Sequence, residues 1–269
     1  MMHILRRQLF DGTSESVSVT KGVFTNLILQ NIGPSIGAPA PAPPWDLFPA
    51  RDPVPDAACL FLELIAQTVA LCRSGADLES AKDGSKLADE LSRLEQGFVQ
   101  WEAQVPDMDS WKYKVRHRVA NQGEDVQFPA TTITFHGVTS MLLWILFWMA
   151  RLDVLQTLYR VLPTDNHRKL GALSRISELV DIICSAVPNL TSGSLTGSRS
   201  EGGANGSSQV VACLFAMRSL SFVGQAPELP EYKADWIAQQ LERLGHEAGI
   251  VQAFVWATQL RASTGRARQ

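Results

Sequence analysis

Cysteine is scarce in this chain of 269 residues, and it never forms a pair. Cys59, Cys72, Cys184 and Cys213 each sit in an apolar stretch, with no CxxC unit among them. A structural zinc site draws its ligands in close pairs from short loops. The four cysteines read instead as reduced, buried thiols that act as small hydrophobes. An excess of basic charge is missing as well: 24 Lys and Arg stand against 27 Asp and Glu, for a net charge of -3. Bulk electrostatic attraction to nucleic acid is therefore not expected of the chain. Nor is there an apolar run of membrane-spanning length. The strongest candidate, MLLWILFWMA at 141–150, is followed at once by Arg151 and Asp153. Spanning takes about 20 apolar residues, so this run reads as a buried core helix and no membrane is expected as a partner. The opening residues, Met1-Met2-His3-Ile4-Leu5-Arg6-Arg7, put charge where a secretory signal needs a long apolar region. On that reading the sequons at Asn189 and Asn205 are chance matches.

Local motifs of catalysis are missing too. His3, His117, His136, His167 and His246 form no HExxH, so two imidazoles cannot meet a metal from one helix face. No GxSxG places a serine on a strained strand-to-helix turn. Gly84-Ser85-Lys86 lacks the upstream glycine and preceding strand of a phosphate loop. Gly202, Gly203 and Gly206 do not make GxGxxG. No catalytic residue, metal ligand or cofactor is assigned, and the chain reads as a non-enzyme.

What is present is apolar helix pattern. Hydrophobic residues make up 45% of the chain, enough for a sizeable core. The fold class expected is all-α, a bundle of several helices over 57–260. It is preceded by a weakly ordered, proline-rich segment at 1–56, interrupted by a Ser/Gly-rich flexible loop at 191–209, and followed by a disordered tail at 261–269. Proline fixes φ and lacks a donor, so Pro39, Pro41, Pro43, Pro44, Pro49, Pro53 and Pro55 mark an extended linker. Helices are expected at 57–72, with Asp56 as N-cap, and at 85–105. In the second, Leu87, Leu91, Leu94, Phe98, Trp101 and Val105 form one stripe, and Asp89, Glu90, Arg93 and Glu95 form the solvent face. A coiled coil fits that stripe for only about three heptads, so packing within the domain is preferred. A central helix is expected at 133–161, enclosed by others and returned to the surface by Arg151 and Asp153. The next stripe is Leu173, Ile176, Val180 and Ile183, ended by Pro188. Further helices are expected at 210–223 and 232–260. The last carries Ile237, Leu241, Leu244, Ala248, Val251 and Val255 on one face, with Gly245 and Gly249 permitting a close approach or a local bend.

Two clusters are candidate functional sites. Trp144 and Trp148 lie four apart on one helix face and either line a small-molecule pocket or fill the core; aromatics at helical spacing favour the core. Lys112, Lys114, Arg116 and Arg118 alternate with Trp111, Tyr113 and Val115. That pattern suits a short edge strand whose cations contact phosphates weakly. With Glu124 and Asp125 close by, a solvated edge is the favoured reading.

Three segments in order resemble the regulatory domain of fungal zinc-cluster transcription factors, also called the middle homology region. The first is the stretch 101–111, marked by Trp101 and Trp111, followed by a long helix with Trp144 and Arg151. The second is Ile183-Cys184-Ser185-Ala186-Val187-Pro188, similar to a family helix ending in a Val-Pro pair. The third is 214–224, an apolar helix and Gly-containing turn, then Trp236, Leu241, Leu244, Gly245, Gly249 and Ile250. The resemblance covers about 56–260. It implies a nuclear, all-α regulatory module that controls transcription of a metabolic or secondary-metabolite gene cluster. It also implies partnership with the transcriptional machinery or another DNA-binding regulator, a small-molecule effector, and room for a homodimer. The six-cysteine module that holds two zinc ions in that family has no counterpart here, so direct DNA binding by this chain is expected to be weak or nil. The alternatives are a helical small-molecule binder or enzyme without a recognisable motif, and a membrane-associated helical protein.

Overall fold

Helical periodicity dominates what forms. The computed structural model describes residues 57–76, 81–104, 113–117, 128–135, 138–164, 166–191 and 205–266. These all belong to one compact unit, Val54–Gln269. In order they make α1 (Ala57–Ala76), α2 (Ala81–Gln104), β1 (Tyr113–His117), β2 (Thr131–Phe135), α3 (Val138–Val161), α4 (His167–Thr191), α5 (Asn205–Val223), α6 (Glu231–Ala248) and α7 (Val251–Arg266). The described residues are thus mostly helical, with one small two-stranded sheet.

The stripe expected on α2 faces the core: Leu87, Leu91, Leu94, Phe98 and Trp101 are all buried. So do Ile176, Val180 and Ile183 of α4, with Leu173 half-buried. From Met141 to Leu155, α3 is buried nearly all round, and it packs against α1, α2, α4 and α5. It is the central helix that its pattern calls for. No described helix is long and apolar enough to cross a membrane.

Several boundaries differ from expectation, each for a local reason. The helix expected from residue 133 starts at Val138. Thr131, Thr132, Ile133 and Thr134 are β-branched, which favours a pleated strand, and they form β2. β2 pairs antiparallel with β1, Tyr113 opposite Phe135 and His117 opposite Thr131. The short strand expected near 111–119 is therefore present at 113–117, and an all-α description omits this ribbon. Pro188 lies inside α4 and does not end it. Only a single turn follows, so the helical bond that proline forfeits costs little there. The described part of the expected 191–209 loop is helical: α4 includes Thr191, and α5 starts at Asn205, whose side-chain type suits a helix start. Residues 1–56 and 192–204 lie outside the described residues.

The single helix expected at 232–260 is two. Gly249 caps α6 in the left-handed region, with φ 67°, where glycine avoids the Cβ clash. α7 then runs back along α6, setting Arg261 against Glu242 and Phe254 against Gly245. A Cβ on Gly245 would lie 2.7 Å from the Phe254 ring, so this is the close approach that the glycine permits. The reversal leaves Val251 and Val255 exposed rather than on the buried stripe. It also keeps the chain helical through Arg266, in place of a frayed tail from Arg261. The last residues, 267–269, lie outside the described residues.

Candidate functional site

The centre of the molecule is a set of aromatic rings packed on α3. Trp144 is buried and Trp148 fully so. Their ring centroids are 5.5 Å apart. From α2, Trp101 stacks on Phe147 at 4.8 Å and meets Trp144 edge-on at 5.8 Å. Phe61 of α1 reaches Trp101 at 5.1 Å. Tyr113 of β1 meets Trp144 at 4.8 Å and Trp148 at 5.4 Å, both edge-on. These are separations at which rings attract, so Trp144 and Trp148 sit among side chains of several elements as core. One irregularity remains there: among the described residues the buried Trp148 Nε1 has no hydrogen-bond partner, and neither do Ser140 Oγ and Gln156 Nε2. Each such atom costs about 1–3 kcal/mol.

Beside the rings lies a charged joint. Arg151 on α3 donates from Nε to both Glu95 oxygens, at 2.9 and 3.1 Å. Its Nη2 is 2.8 Å from Glu95 Oε1, and its Nη1 donates to Glu102 Oε2 at 2.7 Å. Arg175 on α4 adds a longer contact, 3.5 Å, to the same Glu95 oxygen. Three helices meet at one carboxylate whose residue is 2% exposed. Burial pushes the Glu95 carboxyl above its ordinary range, and Arg151 opposes that rise. Burial also disfavours the Arg151 guanidinium, but its bonds to Glu95 and Glu102 more than offset this, so its pKa rises. The spacing of α2 assigns Glu95 to the solvent face, and the structure corrects this. Glu95 is buried because Arg151 meets it, and Arg151 points into this joint rather than returning α3 to water. A signal for it exists in the sequence: Glu95 and Glu102 lie seven apart, two turns, beside the apolar stripe, and one arginine interrupts the apolar helix opposite.

A second joint links α4 and α6. Lys233 is 4% exposed. Its Nζ lies 2.5 Å from Asp181 Oδ1, donates to Ser177 Oγ at 3.3 Å, and is 5.5 Å from the centre of the Phe128 ring. Phe128 in turn meets Tyr232 at 5.8 Å and Trp236 at 5.3 Å, both edge-on.

The basic strip is divided. Lys114, Val115, Arg116 and His117 are all exposed, while Lys112 and Arg118 lie outside the described residues. Of the two aromatics of the alternation, Trp111 lies outside the described residues, and Tyr113 turns inward onto Trp144 and Trp148, where burial raises its phenol and the Glu102 charge adds to the rise.

The described thiols are free. Burial pushes Cys72 and Cys184 far up, with added repulsion from Asp153 and Asp181 respectively. Burial raises Cys213 too, helped by Glu247. Such thiols are poor nucleophiles. Among the described residues, no three His, Cys, Asp or Glu side chains come together as a metal site. Gly84, Ser85 and Lys86 lie within α2, not on a phosphate-binding loop. The chain matches no family model, no curated protein and no solved structure.

Proposed function

We propose that this chain is a helical regulatory module of transcription, similar to the regulatory domain of fungal zinc-cluster factors. It works in the nucleus on the genes of a metabolic or secondary-metabolite pathway. It acts with the transcriptional machinery or another DNA-binding regulator, under a small-molecule effector. The observation that carries the reading is Arg151. This residue bears the resemblance together with Trp144, and it is the hub at which α2, α3 and α4 are tied through Glu95, Glu102 and Arg175. Of the other residues of the resemblance, Trp101, Trp144, Leu241 and Leu244 are buried. A polar hub inside a greasy bundle gives the helices a preferred arrangement. An effector regulates such a module by favouring a second arrangement over the first.

The test compares transcripts and promoter occupancy in cells with the gene, without it, and with Arg151→Met. Loss of the gene shifts the transcripts of a coherent set of targets, and Arg151→Met reproduces the shift at equal protein level. Unchanged transcripts in the deletion overturn the reading.

A further inference from the structure

Among the described residues, the outer edge of β1 leaves both backbone and charge unmet. β1 and β2 form a sheet of two strands, so each has one paired edge, and among the described residues nothing pairs with the other edge of β1. Alternate residues of such a strand turn N–H and C=O outward, a template for one more strand. The template is held firmly. Ile133 of β2 is buried. Thr131 Oγ1 lies 2.7 Å from Ser185 Oγ of α4, and Tyr113 is wedged against Trp144 and Trp148.

The charges on this edge differ from those that tie one helix to another. Arg151, Arg168, Arg175, Lys233 and Arg261 each have a carboxylate partner. Lys114 and Arg116 form no ion pair among the described residues, and the β2 residues opposite them are the neutral Thr134 and Thr132. Both project on one face, two residues apart, or about 6.8 Å. Val115, between them on the other face, is 49% exposed.

We propose that this edge docks an extended acidic segment of a partner protein. The segment adds as a third strand beside Tyr113–His117 and sets carboxylates at alternate positions against Lys114 and Arg116. Strand addition supplies main-chain hydrogen bonds, and the side-chain pairing selects the partner. A second copy of β1 is not the occupant, because cations would face cations across the new pair. A nucleic acid is disfavoured because Tyr113, the described aromatic that would stack on a base, is committed to the core. The inference goes beyond the transcriptional reading and does not rest on it.

Fluorescence polarisation of the full chain tests it, with a labelled hexapeptide of alternating Glu and Val as probe. The probe binds, and binding weakens several-fold when salt is raised. Replacing Glu by Lys in the probe abolishes binding. Methylating alternate backbone amides of the probe, which blocks strand pairing and keeps every charge, weakens it about tenfold. Lys114→Glu with Arg116→Glu weakens it at least as much, at an unchanged unfolding temperature. The methylated-probe arm uses the unaltered protein, so it decides the matter even where the double variant folds poorly. Equal binding of methylated and unmethylated probe overturns strand addition. Tighter binding of a single-stranded oligonucleotide than of the probe overturns the acidic-peptide assignment, as does no binding of the probe at all.

Discussion

Arg151→Met isolates the joint on which the functional reading depends. Methionine retains the apolar stem and a comparable helix propensity, so the backbone of α3 is not at issue. What is lost is every Arg151 contact to Glu95 within 3.1 Å and the bond to Glu102. Glu102 keeps partial access to water, its side chain 31% exposed, but the Glu95 side chain is 3% exposed and keeps only the 3.5 Å contact to Arg175. A buried charge left without its partner costs about 3–5 kcal/mol. At about 2–4 °C per kcal/mol for a body of this size, the unfolding temperature falls by roughly 6–20 °C. The loss depends on pH with a definite sign. The Glu95 carboxyl is already raised in the folded state by burial, and removing Arg151 raises it further. A raised carboxyl favours the folded state below its unfolded value, about 4.3, and that contribution disappears as pH climbs through the folded value. The variant is therefore closer to wild type near pH 5 than near pH 7.5. Adding Glu95→Met removes the stranded charge and restores most of the loss, because an apolar pair of similar volume replaces a buried ion pair at little cost. Urea unfolding followed by circular dichroism at both pH values measures all three proteins. A single-variant cost below about 1 kcal/mol, or a double variant no more stable than Arg151→Met, refutes the account.

Gly249→Ala destabilises by about 1 kcal/mol and Gly249→Asn by less, because asparagine tolerates the left-handed region and no neighbouring atom lies where the new Cβ would go; equal urea midpoints for glycine, alanine and asparagine contradict this. Gln156→Met raises stability by about 1 kcal/mol by removing the buried amide nitrogen, which has no partner among the described residues, and a lowered unfolding temperature counts against it. Iodoacetamide at pH 8 leaves Cys72, Cys184 and Cys213 unmodified in the native protein and alkylates them in guanidinium, as mapped by mass spectrometry. The raised thiol pKa values leave little thiolate to react, and rapid native labelling of Cys184 shows that reasoning to be wrong.

The parts of this fold that sequence makes legible are those where one period runs uninterrupted. The α2 stripe from Leu87 to Trp101 and the all-round burial of α3 follow from spacing alone. Where two kinds of signal compete, spacing misleads. Thr131 to Phe135 continues the apolar trend of α3, yet its β-branched residues settle into a strand, and Tyr113 becomes a core residue only because that strand has a partner. The stripe Ile237, Leu241, Leu244 continues in register to Val251 and Val255, but a single left-handed residue, Gly249, folds α7 back and turns those valines outward. The spacing of apolar residues is the same on either side of such a reversal and so cannot announce it.

Charge is the least legible feature, and it separates the two functional proposals. Period assigns Glu95 to water because it assigns every carboxylate to water; only a partner from another helix makes its burial tolerable. The converse holds for Lys114 and Arg116. On a strand that alternates with apolar residues, cations are ordinarily a solvated edge, and charge on an edge strand commonly keeps copies of a protein apart. What gives these two a different weight is the contrast with Arg151, Arg168, Arg175, Lys233 and Arg261, which meet their carboxylates inside the chain. Charges paired internally help to fix the arrangement of the helices. Charges left facing outward on a firmly held strand edge repel a second copy of that edge and attract a partner of opposite sign, so the same feature that guards against self-association selects an acidic strand.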